Sequence, residues 1–293
     1  MLHEYHALKQ GGKVANIAGF AVEGPLLGPQ GGIPRAGRWH PSKEEWRTLA
    51  DLGPYGLRYI VMAPDGAALS EEVASGLTFG DLLRSLYEQG TRVALGHFHR
   101  DAPERSADRM RAVVDFLHGR FDSSPYLILT DHLYNDMPRT FVHTWRTPDE
   151  RISRAEELQP LLEADWEKAD LSALLGPVPA TMLHLAQQGA LTPCINFDGA
   201  HVDLEICRLT VQYLGADRLI ALTDHTEVPT MAREPLRRSE HNGLWLRGDG
   251  AVAAGSSDFE RQRDNILSLG FDEDMVTRLF VTNPSRAIAH RVS

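Results

Sequence analysis

Six short apolar runs in this chain each lead to a residue that can bind a metal or move a proton. NIAGFAV leads to Glu23, RYIVMAP to Asp65 and RVALG to His97. YLILTD leads to His132, CINFDGA to His201 and RLIALT to Asp224. Apolar runs of this length, rich in Val, Ile and Leu, read as strands buried on both faces, the condition of a parallel sheet. Parallel strands that carry their polar residues at the C-terminal end place a site at the open top of an α/β barrel or sheet. The stretches between the runs read as helices. Ser42 with Glu45 makes a capping box for a helix running to about Gly53. Thr78 caps the segment up to Gly90, residues 104–118 stop at Gly119, and Asp203 caps a helix ending at Gly215. Pro284 fits the first turn of a last short helix. Strand and helix alternate, the pattern of repeated βα units.

Three regions break that rhythm. Residues 24–37, GPLLGPQGGIPRAG, form a loop over the expected site. Residues 136–180 carry charged helical segments and five prolines, an excursion that reads as a lid or an interface. Residues 226–257 read as a loop followed by a short hairpin. No linker divides the chain, so residues 1–293 are expected to form one barrel-like domain. Six site-bearing strands fall short of the eight that a closed barrel needs. The gap is expected to be filled by residues before Ala15, by the 136–180 excursion, or by a second chain.

A net charge of −10 argues against nucleic acid or an anionic membrane as the main partner. No apolar stretch approaches the roughly 20 residues that span a bilayer, and the N-terminus does not read as a signal peptide. Cys194 and Cys207 are the only cysteines. A disulfide framework and a thiolate zinc cage are therefore excluded, a cytoplasmic location is expected, and any metal must be held by His and carboxylate.

Glu23, His97 and His132 supply one carboxylate and two imidazoles at strand ends, the donor set of an open hydrolytic zinc site that keeps one position for water. Such an ion lowers the pKa of water to about 7 and polarises a carbonyl. Asp224 suits a general base that then serves as general acid, although Thr223, Asp224 and Thr226 are also helix-capping types. His201, after Gly199, can polarise a substrate carbonyl or bind a hydroxyl. Asp65 reads equally as part of a turn. Asp131 either orients His132 from behind or faces away, because neighbours on a strand point oppositely.

The fragments occur in a recognisable order: Glu23-Gly24-Pro25, Gly96-His97, His132-Leu133-Tyr134-Asn135-Asp136-Met137, Asp198-Gly199-Ala200-His201-Val202, Leu222-Thr223-Asp224, Ala254-Gly255-Ser256 and Asn283-Pro284-Ser285-Arg286. From about residue 15 to 290 the chain resembles the N-acetylglucosamine-6-phosphate deacetylase family of the amidohydrolase superfamily. The resemblance implies a metal-dependent (β/α) TIM-type barrel that hydrolyses the acetamide of an amino sugar phosphate, with an N-acyl amino sugar as substrate and a homodimer as assembly. It implies that Glu23, His97 and His132 hold one divalent ion, expected to be zinc. Asp224 would be the catalytic acid/base, and His201 a substrate contact. Asn135 and Asp136 would lie at the phosphate. The family carries a first strand and a small β domain upstream of the Glu-Gly-Pro motif, so the barrel is expected to be incomplete here. After Met137 the chain reads PRTFVHTWR, with His143 where the family has a phosphate-binding Arg. The phosphate contact then shifts to Arg139 or Arg146, or the best substrate is not the 6-phosphate. A non-catalytic, deacetylase-like subunit that acts in binding or regulation is the alternative.

Overall fold

The computed structural model describes residues 1–141 and 144–292. All six apolar runs become strands: β1 (Phe20–Glu23), β2 (Leu57–Met62), β3 (Arg92–Leu95), β4 (Leu129–His132), β5 (Thr192–Ile195) and β6 (Ile220–Ala221). They form one sheet in chain order, each strand parallel to the next. Strand order that never reverses is the winding of a (β/α) barrel. The sheet curls into a half-barrel and stays open between β1 and β6.

The helices in chain order are α1 (Leu2–Gln10), α2 (Lys43–Ala50), α3 (Phe79–Glu88), α4 (Pro103–His118), α5 (Pro148–Glu163), α6 (Leu171–Leu175), α7 (Pro177–Gln187), α8 (Leu204–Leu214), α9 (Phe259–Ser268), α10 (Glu273–Thr277) and α11 (Asn283–Ala289). Their starts follow the capping chemistry of the sequence. Ser42 and Glu45 form the full reciprocal box, Thr78 accepts from the Asp81 N–H, and Asp203 accepts from the Glu205 N–H. Helix α2 ends at Ala50, and residues 53–55 turn as a separate 3-10 segment rather than continuing it.

Side-chain alternation divides the sheet into two faces. Ile60, Met62, Val93, Leu95 and Ile195 join the large core built with Leu83, Met110, Leu183 and Ile206 from the surrounding helices. Truncating one such Leu to Ala typically costs about 2–5 kcal/mol. Val61, Ala94, Leu129, Cys194 and Ile220 form a second cluster with Leu27 and Ile33 of the loop after β1 and Ala287 of α11. A loop and the last helix thus cover the concave face that further strands would cover in a closed barrel. On β1, Phe20 and Val22 pack on the core while Ala21 and Glu23 are exposed.

The two internal candidates for completing the sheet do not do so. The residues before Ala15 hold α1 and a turn after it; α1 packs near Tyr55 through contacts of His3 and His6, while Tyr5 donates to the Ile17 carbonyl. Among the described residues the 136–180 excursion carries helices and loop and no strand, and it ties to the body through an ion pair of Arg154 with Asp203 at the start of α8. Residues 226–257 hold more strand than one hairpin. Residues 230–231 pair with 234–235, and 237–238, 245–246 and 252–254 make a small antiparallel sheet. That sheet returns Gly255 beside Asp224, whose carbonyl accepts the Gly255 N–H at 2.8 Å. Among the described residues no helix is long and apolar enough to cross a membrane.

Candidate metal centre and active site

The strand ends bring four ligand-type side chains to one point, with one donor atom of each of Glu23, His97, Asp131 and His132 within 4.8 Å of the others. His97 Nε2 contacts Glu23 Oε1 and lies 3.2 Å from Asp131 Oδ2. His132 Nε2 lies 3.2 Å from the same Asp131 oxygen and 3.9 Å from Glu23 Oε1. His97 Nε2 and Asp131 Oδ2 are buried and face these neighbouring ligand-type atoms at contact distance without well-directed hydrogen bonds. Two imidazoles and two carboxylates converging in this way fit a divalent cation.

The local electrostatics also favour positive charge. Burial pulls the His97 imidazole down, but Glu23, Asp131 and Asp136 outweigh it and hold the ring well above its ordinary pKa. His132 is raised in the same way, chiefly by Asp131 against the cost of burial. Burial opposes ionisation of Asp131, yet the two imidazoles keep it below the usual carboxylate range.

Asp131 was a neighbour of uncertain direction in the sequence. The pairing of β4 with β5 shifts register between Leu129 and His132, which breaks strict alternation and lets Asp131 and His132 reach the same point. Gly96 is required behind it, because a Cβ there would overlap the Asp131 side chain. His97, Tyr134, Asp136 and Asp224 all have left-handed backbone, with φ of 52°, 72°, 39° and 47°. Such residues are uncommon outside glycine and gather where surrounding structure holds a functional geometry.

Asp224 lies just past β6, with Oδ2 3.4 Å from His201 Nε2. Burial pushes its carboxyl up to about 6, against the pull of His201 and His132. The other ring nitrogen of His201 lies 2.5 Å from Asp198 Oδ2. Asp198 Oδ1 accepts the backbone N–H groups of Ala200 and His201 at 2.9 and 2.8 Å. Burial lowers the His201 pKa, but Asp198 and Asp224 more than reverse this and bring it to about 9. The sequence signal for Asp198 is its place three residues before His201, the reach of a single turn. Gly255 stands against the His201 ring, where a Cβ would come within 3.0 Å of Cε1.

These groups open into a cavity of about 310 Å³. Glu23, His97, His132, His201 and Asp224 line it together with Arg100, Arg139, Arg146, Asn135 and Thr144. The arginines are not equivalent. Arg100 pairs with Asp136 at 2.8 Å and Arg146 with Glu150 at 2.6 Å. Arg139 donates to the Met137 carbonyl, its buried Nε has no hydrogen-bond partner, and no ion pair joins it to a carboxylate among the described residues. Burial lowers its pKa to about 10. Asn135 is buried, and its amide donates to Asn196 Oδ1 at 3.2 Å.

Other singled-out residues are engaged differently. Asp136 lines the cavity but turns its carboxylate toward His97, the Gly32 N–H and Arg100. Asp65 accepts from the His99 N–H and the Ser106 hydroxyl, outside the cluster. His143 falls outside the described residues.

No family model and no curated relative matches the chain. Solved structures do. N-acetyl-D-glucosamine-6-phosphate deacetylase from Mycobacterium smegmatis superposes with a TM-score of 0.62 at 20% identity, over 98% of this chain and 64% of that one. The Pasteurella multocida enzyme of the same kind gives 0.64 at 17% identity, over 97% and 61%. The Thermotoga maritima enzyme gives 0.65 at 13% identity, over 98% and 64%. The half-barrel with a His/His/carboxylate cluster at its C-terminal mouth is thus of the (β/α) type. More narrowly, it has the fold of the N-acetylglucosamine-6-phosphate deacetylases. The likeness is one of fold, and the chain spans less than two thirds of the length of these structures.

Proposed function

We propose that this chain hydrolyses the N-acyl amide, with N-acetyl as the expected acyl group, of an amino sugar or sugar-phosphate-like substrate. The carrying observation is the convergence of ligand atoms of Glu23, His97, Asp131 and His132 within 4.8 Å of one another, beside a cavity that Asp224 also lines. Glu23, His97 and His132 hold one divalent ion, with Asp131 alongside, and the imidazole-carboxylate set suits zinc. Such an ion, when bound, supplies a water of lowered pKa and polarises the amide carbonyl. Asp224 takes the proton of the attacking water and passes it to the departing amine nitrogen. A carboxyl poised near 6 can do both near neutral pH. His201, oriented by Asp198, donates to the acyl oxygen or to a sugar hydroxyl.

The three arginines that line the cavity suit an anionic group on the substrate, and the fold neighbours are named for a 6-phosphate. Arg139 is the best placed of the three, because its charge is not already spent on a carboxylate. Arg binds phosphate oxygens in a fork that His cannot match. Acetate release from N-acetylglucosamine 6-phosphate and from the unphosphorylated sugar tests the reading. Release that depends on metal is expected, and a metal-loaded chain that cleaves no N-acyl sugar would refute it. The open half-barrel favours one second reading, a binding or regulatory subunit, which predicts that result.

A further inference from the structure

Behind His97, on the ring edge away from the other ligands, stands Asp136. Its Oδ2 lies 3.1 Å from His97 Nδ1, while His97 Nε2 faces Glu23 and Asp131. The same Oδ2 accepts the Gly32 N–H at 2.8 Å, and Oδ1 accepts from Arg100 Nη2 at 2.8 Å. The Asp136 carbonyl accepts the Phe98 N–H at 2.9 Å, so side chain and backbone both grip the His97 segment. The backbone of Asp136 is left-handed at φ 39° and that of His97 at φ 52°, so each depends on its neighbours to stay there. Gly31, at φ 112°, passes so close that a Cβ would overlap the Asp136 carboxylate. Two separate parts of the chain therefore meet on one carboxylate: the segment after β3, which carries both His97 and Arg100, and the loop after β1.

We infer that Asp136 is a positioning residue that fixes His97 for metal binding and at the same time pins the 24–37 loop over the cavity. A carboxylate on the distal imidazole nitrogen holds the ring orientation, keeps the proton on Nδ1 and leaves Nε2 free to ligate. The Gly32 contact ties loop closure to that same oxygen. Release of the loop and slackening of the metal site are then one event. This inference rests on the metal-centre reading above.

The test uses the full chain, Zn²⁺ and a competing chromogenic chelator. Asp136→Ala and Asp136→Asn should each bind Zn²⁺ about 10- to 100-fold more weakly than the parent. Both should also speed amide hydrogen exchange at Gly32 and shift or lose the His97 Nδ1–H resonance. Asp136→Asn keeps the shape of the side chain, but its amide NH₂ meets donors, so it decides the matter if the alanine variant folds poorly. Parental Zn²⁺ affinity in the Asn variant, with Gly32 exchange unchanged, overturns the positioning role and leaves the metal centre standing. A parent that binds no Zn²⁺ overturns the metal centre itself, and the positioning role with it.

Discussion

The buried His201–Asp198 pair should write a measurable slope into stability against pH. His201 is almost wholly buried and its pKa stands at about 9 in the folded chain, against 6.5 for a free imidazole. The folded state therefore keeps a proton that the unfolded state releases between those values. Stability from this group is fully present below pH 6.5 and is lost as pH rises through about 9. The loss between these limits is on the order of 2–3 kcal/mol, since each pKa unit is worth about 1.4 kcal/mol. Asp224 titrates at about 6, below this window, and stays ionised across most of it. Other imidazoles of the site titrate too, so the informative quantity is a difference. Asp198→Asn removes the charge that raises His201. Urea unfolding of parent and variant, both in chelator at fixed ionic strength, should show the variant less stable at pH 6.5. The gap should narrow by about 2–3 kcal/mol on reaching pH 9. A gap that stays constant across the window would show that Asp198 does not hold a proton on His201.

His132→Ala should reduce bound divalent metal from about one ion per chain to background, measured by elemental analysis. Parental metal content in that variant would remove His132 from the ligand set. Asp224→Asn should keep the metal and lower turnover by about 10²- to 10⁴-fold, and near-parental rates would move proton transfer to another group. Arg139→Ala should raise KM by about 10-fold or more for a phosphorylated N-acetyl sugar and little for the unphosphorylated one. Equal effects on both substrates would mean that Arg139 does not read the anion.

The strands were legible because burial on both faces forces continuous apolar runs, and their C-terminal residues carry no such constraint. That is why NIAGFAV, RVALG and the other runs could be read without periodicity. The helix starts were legible because Ser42, Thr78 and Asp203 do chemistry with backbone groups only two or three residues away. What covers the concave face was not legible. Leu27 and Ile33 sit in a loop with no repeating pattern, and Ala287 belongs to a helix at the far end of the chain. Their convergence is a long-range fact that no local signal records. The same holds for the small sheet of residues 237–254, whose strands are only two or three residues long, too short for alternation to register.

The site divides along the same line. Glu23, His97, His132, His201 and Asp224 were visible because each ends an apolar run or follows one closely, and parallel winding sends all such ends to one side of the sheet. The roles of the carboxylates beside them were left open or placed elsewhere, each for its own reason. Asp131 reaches the cluster only through the register shift beside it, which the sequence of β4 does not announce. Asp198 reaches His201 through a turn, so its role depends on backbone geometry rather than strand position. Asp136 has to adopt a left-handed backbone before its carboxylate can face His97. Had the sheet been regular and these turns extended, the imidazoles would still meet, but with less negative charge around them. The His97 pKa shows that this charge outweighs the cost of burial. On the proposed reading, Glu23, His97 and His132, which the sequence pattern marks, are the ligands, and Asp131, Asp136 and Asp198 set the charge and ring orientation around the imidazoles.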